Sequence, residues 1–134
     1  MKNEKPQEPQ EDLCYNFHMR TKFEVLKFKK GKIVIAKTGR DFSTGLLHLH
    51  PDSSLEKHNR PVGEQLVQVF GACIMRLYDG ENFEEIELKE GDELFIVAKQ
   101  FHMHTNPFDQ DSITAWRFDG DITEVIKGQR KKLK

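Results

Sequence analysis

Six histidines occur in the 134 residues, and five of them fall in two places. The first group runs His48-Leu49-His50, then His58-Asn59-Arg60, then Glu64; the second is His102-Met103-His104, followed by Asn106. Alternate residues of a β-strand share a face, so a His-x-His pair can aim two imidazoles at one point. A divalent metal needs that convergence, together with neutral imidazole nitrogens and an anionic oxygen to offset its charge. Histidines and a glutamate drawn from separate strands across a barrel would supply all three. The plainer alternative is that these histidines are polar side chains satisfied by water or by neighbours.

The elements that must position them are short. β-like runs separated by turn chemistry recur at residues 22–28, 32–37, 45–50, 64–70, 72–78, 83–88, 93–98, 101–105 and 113–118. Between them lie Lys29-Lys30-Gly31, Pro51-Asp52-Ser53-Ser54, Asp79-Gly80-Glu81-Asn82, Glu90-Gly91-Asp92 and Asn106-Pro107. Many short strands at such spacing predict an all-β sandwich or closed barrel. One short helix is expected at 122–127, behind an Asp121 N-cap. The run 81–90 alternates apolar and charged residues, as an edge hairpin with one wet face does. Trp116, Phe118, Phe95 and Phe70 sit in strand-like runs and are read as core.

With the strands in place, spacing becomes informative. The segment His58-x-Arg60-x3-Glu64-x6-Gly71 resembles the first cupin motif, in which His-x-His is followed by Glu and then by a Gly turn. Asp52 stands where that motif opens with Gly. The segment Gly91-x5-Val97-x-Lys99-x2-His102-x3-Asn106 resembles the second cupin motif over its full length, with Val97 in place of Pro and Lys99 in place of Gly. Both motifs occur in order, and the resemblance covers roughly residues 42–118. It implies an all-β cupin-type double-stranded β-helix, a jelly-roll barrel at 21–120. A flexible segment at 1–20 precedes it, and a short C-terminal helix with a basic tail occupies 121–134.

The resemblance also implies a ligand set. Carried over by position, His58, Glu64 and His102 would hold a divalent transition metal (Fe, Zn, Mn or Ni). The family's fourth ligand position holds Arg60, whose guanidinium stays protonated and cannot ligate a cation. Two histidines and one carboxylate still leave open positions for water or substrate. Arg60 would then grip a substrate carboxylate or phosphate at the pocket edge. His104 shares strand parity with His102 and is expected to face the same pocket, as a substitute ligand, an acid/base or a substrate contact. The pair His48/His50 lies outside the motif spacing. Either its neighbours Leu47 and Leu49 fill the barrel and the histidines face outward, or the reverse.

The function classes follow. Cupins of this kind include metal-dependent dioxygenases and isomerases acting on small molecules, an anionic one if Arg60 takes part. The alternatives are a non-catalytic binding module and a dimerisation module with a vacant metal site. Analogy with the family points to a homodimer, with residues 17–28 as an exchangeable strand. A net charge of −1 offers no field for nucleic acid, and no apolar run approaches the ~20 residues that span a bilayer. Residues 127–134 (KGQRKKLK) read as a solvated basic end. Cys14 and Cys73 make no disulfide framework, and the polar first dozen residues lack the apolar stretch of a signal peptide, so a cytoplasmic location is expected. No P-loop, GxGxxG, GxSxG or HExxH motif is present.

Overall fold

A computed structural model describes residues 23–133. The expected flexible segment 1–20, Cys14 and the first part of the expected dimerisation strand 17–28 lie outside the described residues. Ten strands and one helix are found in the described chain: β1 (Glu24–Phe28), β2 (Gly31–Thr38), β3 (Ser43–Leu49), β4 (Ser53–Ser54), β5 (Glu64–Phe70), β6 (Cys73–Asp79), β7 (Asn82–Leu88), β8 (Glu93–Ile96), β9 (His102–Asn106), β10 (Ser112–Phe118) and α1 (Thr123–Leu133). They form a six-stranded sheet, β1-β2-β3-β10-β5-β8, and a four-stranded sheet, β4-β9-β6-β7. Every pairing is antiparallel. Two such sheets face to face make the jelly-roll barrel.

Strict alternation decides what faces inward. β3 buries Ser43, Gly45, Leu47 and Leu49, and β10 buries Ser112, Thr114, Trp116 and Phe118. β9 turns His102, His104 and Asn106 to the interior. The leucines of β3 therefore fill the barrel, and His48 goes to the other face. Leu26, Leu47, Leu49, Leu66, Met75, Leu88, Ile96, Trp116 and Phe118 form the core. Each fully buried side chain of this kind contributes roughly 1.5–3 kcal/mol. Gly45 admits no substitution, because a Cβ there would sit 1.9 Å from Val34 O and 2.5 Å from the Trp116 ring.

The two motif registers leave a backbone signature. Gly71 (φ 67°) and Gly91 (φ 92°) keep the motif glycines and are left-handed. Asp52 (φ 56°) and Lys99 (φ 69°) stand where the motifs have glycine, and among the described residues they are the non-glycines with positive φ. The turns survive although the residue that makes them easy is gone. Hydrogen bonds hold them: Asp52 N–H donates to Phe108 O (3.1 Å), and Lys99 N–H to Arg60 O (2.7 Å).

Three elements differ from the sequence expectation. Phe70 is 43% exposed because a bulge between Gln68 and Phe70 leaves Val69 unpaired against β10 and reverses the facing of the strand end. Phe95 is 56% exposed because Leu94 and Ile96 take the inward positions of β8. The helix runs to Leu133 rather than stopping at 127. Its last turn carries Arg130, Lys131 and Lys132, where cations favour the helix dipole, and Arg130 makes a two-pronged ion pair with Glu24 of β1. Asp121 does act at the helix start, accepting the Thr123 N–H at 2.9 Å. The run 81–90 supplies β7, at the edge of the smaller sheet as expected.

Lys99→Gly relieves the left-handed strain at a small entropic cost, so it is expected to stabilise the fold by roughly 0.5–1 kcal/mol. Urea denaturation measures this, and an unchanged or lowered midpoint would count against the strain.

Candidate metal centre

His58 and His102 are brought together by the backbone before their side chains act. They form an isolated antiparallel bridge, His58 N–H to His102 O at 2.9 Å and His102 N–H to His58 O at 2.8 Å. Beside it Lys99 N–H reaches Arg60 O, and the Asn59 amide donates to Lys99 O at 3.1 Å. The loop carrying the first motif is thus laced to the start of β9. The two imidazoles meet edge to face, with ring centroids 4.4 Å apart. Glu64, at the head of β5, brings Oε1 to 3.6 Å from His102 Nε2.

Each of these rings has its tautomer fixed. His58 Nδ1 lies 2.8 Å from Glu56 O and His102 Nδ1 lies 2.9 Å from Gln100 O. A carbonyl only accepts, so Nδ1 carries the hydrogen in both and Nε2 is left as a bare lone pair. Metal-ligating histidines are held in this way by their second nitrogen. Burial, with the Arg60 cation second, pushes the His58 pKa down to about 4. Burial also lowers that of His102. Neutral rings are what a metal requires. Burial raises Glu64 to about 7 against the opposing pull of Arg60. Near neutrality, without a cation, the carboxyl is therefore only partly ionised, and a metal would displace the remaining proton.

His58, Arg60, Glu64, His102 and His104 all line one inner cavity of about 80 Å³, to whose wall Val125, Ile126 and Gln129 of α1 also contribute. About 10–15 Å³ of such space is enough to hold one water, so the cavity has room for an ion with several ligand atoms. A wider cleft of about 430 Å³ shares Ile33, Leu55, His58, Arg60 and Gln129 with it and carries Lys29, Lys30, Lys57 and Lys132. Arg60 lies at the junction. Its guanidinium makes one long bond, to Asn59 O at 3.4 Å, and no ion pair with Glu64 within 4 Å is found among the described residues. No other hydrogen bond of the guanidinium is found among the described residues, and Arg60 lines both cavities.

A second cluster lies on the outer face of the larger sheet. His48 Nε2 is 2.8 Å from Asp111 Oδ2, His50 Nδ1 is 4.0 Å from Asp111 Oδ1, and the three donor atoms all lie within 4.8 Å of one another. The donors of His58, Glu64 and His102 do not all come that close, and torsional adjustment is needed for them to close on one ion. The outer cluster has the better distances; the inner one has the better support. His48 Nδ1 is buried with no partner. Ligation through His48 Nε2 would move the hydrogen onto that nitrogen, and an unsatisfied buried donor costs about 1–3 kcal/mol. Asp111 was not legible as part of a site, since only the β3–β10 pairing, Leu49 opposite Ser112, brings it to the histidines. The contribution of α1 to the cavity was equally hidden, because it depends on where the helix docks.

The fold is that of the cupins. Bacillus subtilis oxalate decarboxylase, a protein with Mn(II) centres, matches with a TM-score of 0.67 at 19% identity, over 73% of this chain and 28% of its own. Oxalate oxidase matches with a TM-score of 0.56 at 13% identity, over 60% of this chain and 42% of its own. In sequence, 57 residues are 35% identical to a 3-hydroxyanthranilate 3,4-dioxygenase of Jannaschia sp. (strain CCS1), 42% of this chain and 30% of that protein. The chain thus matches less than a third of that relative's length. No protein-family model matches the sequence. No helix among the described residues is long and apolar enough to cross a membrane.

The buried titratable groups set opposite pH limbs for the metal-free protein. His58 (about 4) and His104 (about 3, lowered first by burial, then by His102 and His58) have folded pKa values below the ordinary 6.5. Their contribution is full above that value and is lost as pH falls toward the folded ones. Glu64 is raised, so its contribution is present below about 4.5 and is lost as pH rises through about 7. Urea midpoints across this range are expected to fall on both sides, with His104→Gln flattening the acid limb and Glu64→Gln the other. Unaltered limbs in both variants would contradict this assignment.

Proposed function

We propose that this chain binds a divalent transition metal inside the barrel through His58, Glu64 and His102 and uses it on a small anionic molecule. The observation that carries the reading is the pair of bare Nε2 atoms, each fixed by an Nδ1–H bond to a carbonyl, beside a buried carboxyl. Two histidines and one carboxylate with open positions suit non-haem Fe(II) oxygenases among the metals considered. The sequence likeness to a dioxygenase points the same way, so a dioxygenase-type activity ranks above an isomerase. When bound, the metal would supply Lewis acidity and sites for O₂ or substrate oxygen.

The chain's own residues define the rest. Arg60, with donors unused at the junction of the two cavities, grips a carboxylate or phosphate on the substrate, as a planar fork can. The outer cleft is within the size range of small-molecule sites and its four lysines favour an anion. The body of the substrate would lie there, with its reacting end in the inner cavity. The apolar wall of Leu66, Met75, Trp116, Phe118 and Ile126 limits water around that end.

Metal analysis of untagged protein tests the site. About one equivalent is expected in the wild type, lost in His102→Ala and Glu64→Gln and kept in His50→Ala and Asp111→Asn. Traces of metal in the wild type, unchanged in the barrel variants, would leave the vacant binding module as the better reading. Arg60→Gln is expected to weaken binding of a small dicarboxylate to the metal-loaded protein by roughly tenfold or more, about the worth of one charge-assisted hydrogen bond. Calorimetric titration reads the change, and equal affinity in both proteins would remove Arg60 from the substrate site.

A further inference from the structure

A chain of hydrogen bonds behind the site fixes the state of His104, a ring that is 5% exposed. It starts at Phe70 O, a backbone carbonyl that only accepts. The Gln68 atom 2.9 Å from it must therefore be Nε2, which also donates to Ser112 Oγ at 3.0 Å. Gln68 Oε1 is then the acceptor facing Thr114 Oγ1 at 2.7 Å and Cys73 Sγ at 3.3 Å. Two oxygens 2.7 Å apart need a hydrogen between them, and Gln68 Oε1 has none to give. Thr114 commits its single hydrogen there. Its oxygen can then only accept from His104 Nε2, at 3.3 Å. His104 thus carries its hydrogen on Nε2, and Nδ1 is bare.

Among the described residues Nδ1 of His104 has no hydrogen-bond partner, yet it is not sealed in the packing. The ring lines the same inner cavity as His58, Glu64 and His102. It sits two residues after His102 on β9, on the same inward face. Its arrangement mirrors theirs with the nitrogens exchanged, one N–H held by a fixed acceptor and the other nitrogen open to the cavity. A neutral imidazole so held is a ligand awaiting a cation. Arg60 meanwhile leaves a place in the coordination sphere that no side chain of the first motif fills.

We propose that His104 supplies a third imidazole to the barrel metal through Nδ1, taking the place that Arg60 leaves empty. This rests on the inner-site reading given above. Thr114, tied to Gln68, is its positioning residue: it holds the ring so that Nδ1 faces the cavity. The resulting set is three neutral imidazoles and one carboxylate, contributed by the first-motif loop, β5 and β9.

Titration of the full chain with Co²⁺, read by visible absorption and by calorimetry, tests this. His104→Gln is expected to lower Co²⁺ affinity at least tenfold and to alter the visible bands, since an imidazole nitrogen is replaced by water or an amide. Thr114→Val is expected to lower it by ten- to a hundredfold, as loss of a ligand's supporting partner does. Wild-type affinity and bands in His104→Gln, with loss in Glu64→Gln, would overturn the role of His104 and leave the three-ligand site standing. No loss in Glu64→Gln or His102→Ala either would overturn the inner site itself. ¹⁵N NMR of the histidines in wild-type protein adds a check independent of folding in the variants. Nδ1 of His104 is expected to be unprotonated and to shift when Zn²⁺ is added; a protonated or unmoved Nδ1 would contradict the proposal.

Discussion

The structure depends on two hydrogen bonds between the backbones of His58 and His102. They join a loop that has no strand of its own to the start of β9, and every other feature of the site is placed from there. His58 and His102 face each other because their main chains are paired. Burial and the nearby Arg60 cation keep their rings neutral against the opposing pull of the carbonyl two residues back, which fixes only which nitrogen carries the hydrogen. Glu64 enters from the opposite sheet, and Arg60 is held at the cavity edge by the turn in which Lys99 N–H binds its carbonyl.

A barrel interior with this much polarity is costly unless every group finds a partner. Gln68, Ser112, Thr114, Cys73, His104 and Asn106 are all buried, and side-chain hydrogen bonds join them to one another or to backbone carbonyls. Asn106 alone ties the carbonyls of Leu49, His50 and Gln110, which fixes the turn leading into β10. The interior is thus divided. An apolar core of leucines, Trp116 and Phe118 carries stability, and a satisfied polar layer leaves a few nitrogen lone pairs facing the cavity.

Much of this was legible in the sequence because the two motifs are backbone patterns as well as ligand patterns. Asp52 and Lys99, read as replacements for glycine, are left-handed like Gly71 and Gly91, the conformation that glycine makes easy. The same register placed His58, Glu64, His102, Arg60 and His104 around one cavity. What failed depends on contacts distant in sequence. A bulge at Val69 turned Phe70 outward, and no local pattern marks it. The basic end was read as solvated, yet Arg130 reaches Glu24 across the fold and the helix continues to Leu133. Asp111 joins His48 only through strand pairing.

Two histidine clusters compete for the role of metal centre, one with closer donor atoms and one with supported tautomers. Crystals of the protein soaked in Zn²⁺ and measured at the zinc absorption edge would decide between them. A strong anomalous peak is expected inside the barrel among His58, Glu64 and His102, within bonding distance of His104 Nδ1. A peak confined to His48, His50 and Asp111, or no peak inside the barrel at all, would contradict it.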